Sequence, residues 1–66
     1  MKNRLAERRK ELKLTQAFVA KSVGISESHY QKYEYGQILP GVDIGLRIAD
    51  VLKSTVEYLW GTNEEK

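Results

Sequence analysis

Residues 15–36, TQAFVAKSVGISESHYQKYEYG, limit this chain more than any other stretch. Thr15 has the side chain of a helix N-cap, with Gln16 as the first helical residue. Val19, Ala20 and Val23 follow on one helical face. Gly24 closes that helix, because a glycine takes a left-handed backbone without steric cost. Ile25 plugs the turn and Ser26 caps a second helix, which carries Tyr30 and Tyr33 inward and ends at Gly36. Two capped helices joined by so short a turn must cross steeply, as a helix-turn-helix does.

The rest of the chain supports a small all-α domain. Helices are expected over 2–13, 15–23, 26–35, 42–52 and 56–60. In the first, Leu5, Arg9 and Leu12 share a stripe. Ile38 and Pro40 are expected to pack beneath the loop 37–41. In the fourth, Leu46, Ala49 and Leu52 read as inward, supported by Val42 and Ile48. Gly45 in that helix costs about 1 kcal/mol of propensity against alanine and makes room for a bulky neighbour. Thr55 caps the last helix, which holds Val56, Leu59 and Trp60. Residues 1–61 form the domain and 62–66 a polar tail. A chain of 66 residues buries only about 60% of its unfolded surface, so the core is small.

Composition narrows the function. There is no cysteine, so disulfide staples and thiolate metal sites are excluded. His29, the one histidine, has no second ligand at motif spacing, and no metal or cofactor is expected. No histidine is paired with a placed carboxylate and no phosphate-cradling glycine loop exists, so no catalytic residue is assigned and an enzyme is not expected. The longest apolar run, residues 17–20, is too short to span a membrane, and the N-terminus lacks a signal-peptide core, so a cytoplasmic location is expected. Residues 1–13 carry six basic side chains against two acidic, residues 14–40 two against two, and residues 41–66 three against five. This asymmetry suits a polyanion at one end and a different partner at the other, although a solvated basic helix face would look the same.

Thr15-Gln16, Val19-Ala20, Gly24-Ile25-Ser26, Tyr33-Glu34 and Gly36 together resemble the helix-turn-helix of the phage repressor and Cro (Xre) family. The resemblance implies a compact five-helix, lambda-repressor-like fold. It implies sequence-specific binding of double-stranded DNA by a prokaryotic or phage-encoded transcriptional regulator, acting as a repressor, with residues 26–35 in the major groove. Glu27, Ser28, Gln31 and Lys32 would reach base edges; Glu accepts from cytosine, Lys donates to guanine, and Ser suits either. Glu27 would equally favour the positive end of its own helix; for Lys32 a phosphate contact is the alternative to the preferred base contact. Arg9, Gln16, Ser26, Tyr35 and Gln37 would contact phosphates. Arg9 would also pair with Glu34 across the domain, since a lone charge on an apolar face is costly. Phe18 departs from the pattern, which places an acidic or polar residue there. Longer members of the family continue past the fifth helix into an oligomerisation domain, so the chain is either a small complete regulator or a DNA-binding part. Binding to a palindromic operator calls for a homodimer, expected through the fifth helix with Val56, Tyr58 and Trp60, together with Ile44 and the loop before the fourth helix; in the alternative, Trp60 folds back on the monomer core. No small-molecule ligand is evident. A protein-binding module on the same fold, such as an antitoxin or the partner of an anti-repressor, is the second reading.

Overall fold

The computed structural model describes residues 3–61. Among them the chain forms five helices and no strand: α1 Leu5–Glu11, α2 Gln16–Val23, α3 Glu27–Glu34, α4 Val42–Val51 and α5 Val56–Trp60. The expected tail, 62–66, lies outside the described residues. The caps are where the side chains put them. Thr15 Oγ1 accepts from the Phe18 amide at 3.0 Å, Ser26 Oγ from the His29 amide at 3.1 Å, and Thr55 Oγ1 from the Tyr58 amide at 3.0 Å. Each satisfies one N–H that a helix start leaves without an internal partner.

Helix ends are equally regular. After α1, Leu14 N–H donates to Arg9 O at 3.1 Å and Lys13 N–H to Lys10 O at 3.0 Å. The same pair of bonds closes α2 through Ile25 and Gly24, α3 through Gln37 and Gly36, and α4 through Ser54 and Lys53. This is the Schellman arrangement, and it requires one residue in the left-handed region. Gly24 and Gly36 supply it at φ 82° and 74°, but Lys13 and Lys53 also adopt it, at φ 59° and 52°. The first helix is therefore shorter than expected: its apolar stripe runs on to Leu12, but the chain has already turned at Lys13.

α2 packs against α3 and α4, α1 against α3, and α4 against α5. Leu5, Val19, Tyr30, Ile48, Leu52 and Leu59 are fully buried, with Ala20, Val23, Tyr33 and Ala49 beside them. Leu12, Leu14 and Ile25 close the edge of this core. In α4 the inward face differs from the expected one. Gly45, Ile48, Ala49 and Leu52 point in, whereas Leu46 is 58% and Val42 81% exposed. The segment VDIGLRIADVL holds more apolar residues than one helix face accommodates, so periodicity left two stripes to choose from. Gly45 settles the choice: a Cβ there would sit 3.8 Å from Pro40 Cγ and 4.0 Å from the Trp60 ring, so both rings lie directly over the glycine. Pro40 is thus half-buried as expected, while Ile38 is more exposed than the loop reading assumed.

Lys53 is exposed and holds a backbone conformation that costs an L-residue roughly 1–2 kcal/mol. Lys53→Gly is expected to stabilise the domain by about 1 kcal/mol, raising the thermal midpoint, with Gly24→Ala moving it the other way. Calorimetric melts of the two variants check both signs.

Candidate nucleic-acid interface

One buried carboxylate organises the junction of α1, α2 and α3. The Glu34 side chain is only 2% exposed. Arg9 reaches across from α1, with Nε 2.6 Å from Glu34 Oε2 and Nη2 3.4 Å from Oε1. Its remaining arm, Nη1, donates to Leu14 O at 2.8 Å. Gln16, at the start of α2, donates from Nε2 to Glu34 Oε1 at 3.0 Å, and its own Oε1 accepts from Gln31 Nε2 at 3.0 Å. Four side chains from three helices thus form one chain of hydrogen bonds. Burial on its own would raise the Glu34 pKa; the bonds from Arg9 and Gln16 outweigh it and hold the group below the ordinary glutamate value. The bond to Glu34 likewise holds the Arg9 guanidinium above its usual value. Burial pushes the neighbouring Tyr30 phenol up, and its hydroxyl, packed in the core, has no hydrogen-bond partner.

The outward face of α3 is polar and open. Glu27, Ser28 and Lys32 are all exposed, while Gln31 is half-buried in the network just described. Ser26 is exposed and its oxygen serves as the cap. Tyr35 is 60% exposed at the end of α3, followed by exposed Gln37. His29 stands edge-on to Tyr33, with Nε2 2.9 Å from the tyrosine hydroxyl. No group of three or more potential metal ligands occurs among the described residues.

The N-terminal positive charge has a destination that its sequence did not reveal. Arg8 donates from Nε to Leu52 O at 2.9 Å and from Nη2 to Lys53 O at 3.0 Å, covering the carbonyl end of α4. Arg4 donates from its amide to Leu59 O and from Nη1 to Tyr58 O, both at 2.8 Å, and its guanidinium lies 4.9 Å from the centre of the Tyr58 ring. Both arginines sit where helix carbonyls and the negative end of the macrodipole attract a cation. With Arg9 committed to Glu34, only Lys10 and Lys13 of this segment's described basic residues are open to solvent. Three of the segment's basic residues, Arg4, Arg8 and Arg9, therefore serve as helix clamps. Asn3 went unread as well: its Oδ1 accepts from Leu5 N at 3.0 Å and its Nδ2 donates to Tyr33 O at 2.8 Å, tying the start of α1 to the end of α3. An Asn two residues before an apolar periodic run is the signal that could have found it.

The expected dimer residues are divided. Val56 and Tyr58 are 39% and 42% exposed, whereas Ile44 and Trp60 are half-buried and packed on the core. Val42 and Leu46, absent from that expectation, and Leu39, on the loop included in it, stand out beside them. With Pro40, Val56 and Trp60 they line an apolar depression of about 270 Å³. The Trp60 indole N–H is buried without a partner.

Removing Arg9 would leave Glu34 buried and unpaired. Arg9→Met is expected to cost about 3–5 kcal/mol, and Arg9→Met with Glu34→Leu to regain much of it. Because the folded Glu34 pKa is depressed, its contribution is complete above the unfolded value near 4.5 and is lost as pH falls through the folded value. Denaturant midpoints measured between pH 3 and 7 should therefore fall more steeply towards acid for the wild type than for the double variant.

A family model described as helix-turn-helix matches residues 5–59. Over its whole length the chain is 41% identical, across 69 aligned residues, to the cryptic phage CTXphi transcriptional repressor RstR of Vibrio cholerae. It spans 62% of that longer protein. The fold superposes with a TM-score of 0.81 on the P22 c2 repressor solved in complex with a synthetic operator, at 32% identity, covering 88% of this chain and 89% of that one. With the five-helix fold and these matches in agreement, the chain belongs to the phage repressor and Cro-like helix-turn-helix family.

Proposed function

We propose that this chain binds double-stranded operator DNA as a transcriptional regulator, acting as a repressor, with α3 in the major groove. The observation that carries the reading is the exposure of Glu27, Ser28 and Lys32 on a helix whose opposite face, Tyr30 and Tyr33, is locked into the core. A reading helix must be fixed against the backbone contacts that set its register. Here Gln16 and Glu34 join α2 to α3 directly. Gln16, Ser26, Tyr35 and Gln37 are the phosphate-contact residues, and Arg9 acts mainly by holding Glu34. The repressor names borne by the relatives support the regulatory role. No described helix is long and apolar enough to cross a membrane, and a regulator of this kind works in the cytoplasm with the DNA.

A single α3 reads only a few base pairs, so the operator is a palindrome bound by two copies with half-sites about 34 Å apart. Two-fold pairing needs a self-complementary patch. The ridge of Leu39, Val42 and Leu46, which shares its depression with Val56 and Trp60, offers one, joined by exposed Tyr58 and half-buried Ile44. Exposed Phe18, beside a groove also lined by Leu12, Leu14 and Val51, favours a second reading, a protein-docking module on the same fold. Selection of bound sequences from random duplex DNA, then footprinting and titration in salt, separates the two. An operator binder yields a palindrome and loses affinity steeply with salt; failure to enrich any sequence would sink the DNA reading.

Lys32→Ala and Ser28→Ala should each relax discrimination at a defined base position by about 1–3 kcal/mol, read across operators carrying single-base changes. Leu46→Glu, at a position 58% exposed, should leave the melting temperature nearly unchanged while abolishing half-site cooperativity. Sedimentation and gel-shift titrations check it; an unaltered dimer would place the interface elsewhere.

A further inference from the structure

Gln31 lies on α3 among the residues expected to read bases, yet it differs from Glu27, Ser28 and Lys32 in being half-buried and hydrogen-bonded to α2. The direction of that bond follows from chemistry. An ionised carboxylate only accepts hydrogen bonds. Glu34, held ionised by Arg9, therefore forces Gln16 to present its NH2 group inward, at 3.0 Å. The Gln16 carbonyl oxygen must then face away from Glu34, where Gln31 meets it with its own NH2 group at 3.0 Å. One buried charge thereby sets the polarity of two amides in series, each polarising the next.

We infer that Gln31 is a positioning residue for the Gln16–phosphate contact, acting through the Gln16 amide. The inference rests on the DNA-binding reading above. After its bond to Glu34, Gln16 Nε2 keeps one N–H, the group able to donate to a phosphate oxygen. Left to itself, a glutamine with three rotatable bonds would sample many orientations at the start of α2. Bonds at both ends of the amide, to Glu34 and to Gln31, remove that freedom before DNA arrives. The same arrangement couples register to reading: the residue that steadies the backbone contact is itself on the recognition helix, one position before Lys32. Because α2 and α3 are held together, a shift of α3 in the groove carries Gln16 with it and moves its free N–H off the phosphate.

The test begins without DNA. In the free wild-type protein, the side-chain NH2 signals of Gln16 and Gln31 in nitrogen-15 spectra should be separately shifted and slow to exchange. Gln31→Ala should release those of Gln16. Affinities are then measured, well below the lowest melting midpoint, for the selected operator and its single-base variants. Gln31→Ala should weaken all of them by the same factor, about three- to tenfold, the size of one hydrogen bond. Gln31→Glu, which cannot donate to the Gln16 oxygen, should do no better. Gln16→Ala with Gln31→Ala should lose no more than Gln16→Ala alone. Loss of discrimination at one base pair in Gln31→Ala would make Gln31 a base reader and overturn the inference, as would multiplying losses in the double variant. Failure of the wild type itself to select any duplex would instead strike the DNA reading, while the free-protein spectra would still report whether the clamp exists.

Discussion

The buried carboxylate of Glu34 is the constraint around which the helix-turn-helix is assembled. A charge at 2% exposure is tolerated only with a charged partner and saturated hydrogen bonds. Arg9 supplies the first from α1, and Gln16 extends the second from α2. Since Glu34 belongs to α3, satisfying one group fixes three helices relative to one another. Hydrophobic burial alone is non-directional and would tolerate some sliding of α2 over α3; a fork of hydrogen bonds does not.

The domain also solves a problem of size. Ten buried apolar residues form its core, with no disulfide or metal site among the described residues to reinforce it. Much of its definition comes from helix ends. Side chains cap the starts of α2, α3 and α5, and paired backbone bonds close α1 through α4. Arg8 and Arg4 then bind the carbonyl ends of α4 and α5 from α1 and the residue before it, bridging 44 and 54 positions of sequence. These contacts satisfy groups that would otherwise need water, and they fasten the N-terminal segment to the C-terminal one. Three of the six basic residues among the first thirteen, Arg4, Arg8 and Arg9, are thus structural.

Two surfaces serve the proposed operator binding. One is the polar outer face of α3 with Gln16 at its side. The other is the apolar ridge of Leu39, Val42 and Leu46 beside α5, lying around Gly45, where the chain has no side chain of its own. Their chemistry differs as their proposed partners do: donors and acceptors for base edges and phosphates on the first, dehydrated apolar area for a second copy on the second.

Caps and glycines are local signals, so Thr15, Ser26, Thr55, Gly24 and Gly36 were legible from residue type and spacing alone. The inward residues of α2 and α3 were equally plain, because each helix has one apolar stripe. The site was legible in part: the outward residues of α3 follow from helical geometry once Tyr30 and Tyr33 point in, and Gln16 and Glu34 stood out through the family pattern. Three things needed the folded chain. Which stripe of α4 faces the core depends on Pro40 and Trp60 arriving over Gly45, so periodicity turns Leu46 and Val42 inward and misses the α4 part of the apolar ridge. The destinations of Arg4, Arg8 and Asn3 depend on which helix ends come within reach, a matter of tertiary distance on which sequence spacing is silent. The amide of Gln31 depends on Gln16 and Glu34 together, and neither its partner nor its orientation is encoded in α3. Local backbone chemistry is written residue by residue; the pairing of polar side chains from different helices is decided only when packing brings them together and excludes the water that would otherwise satisfy them.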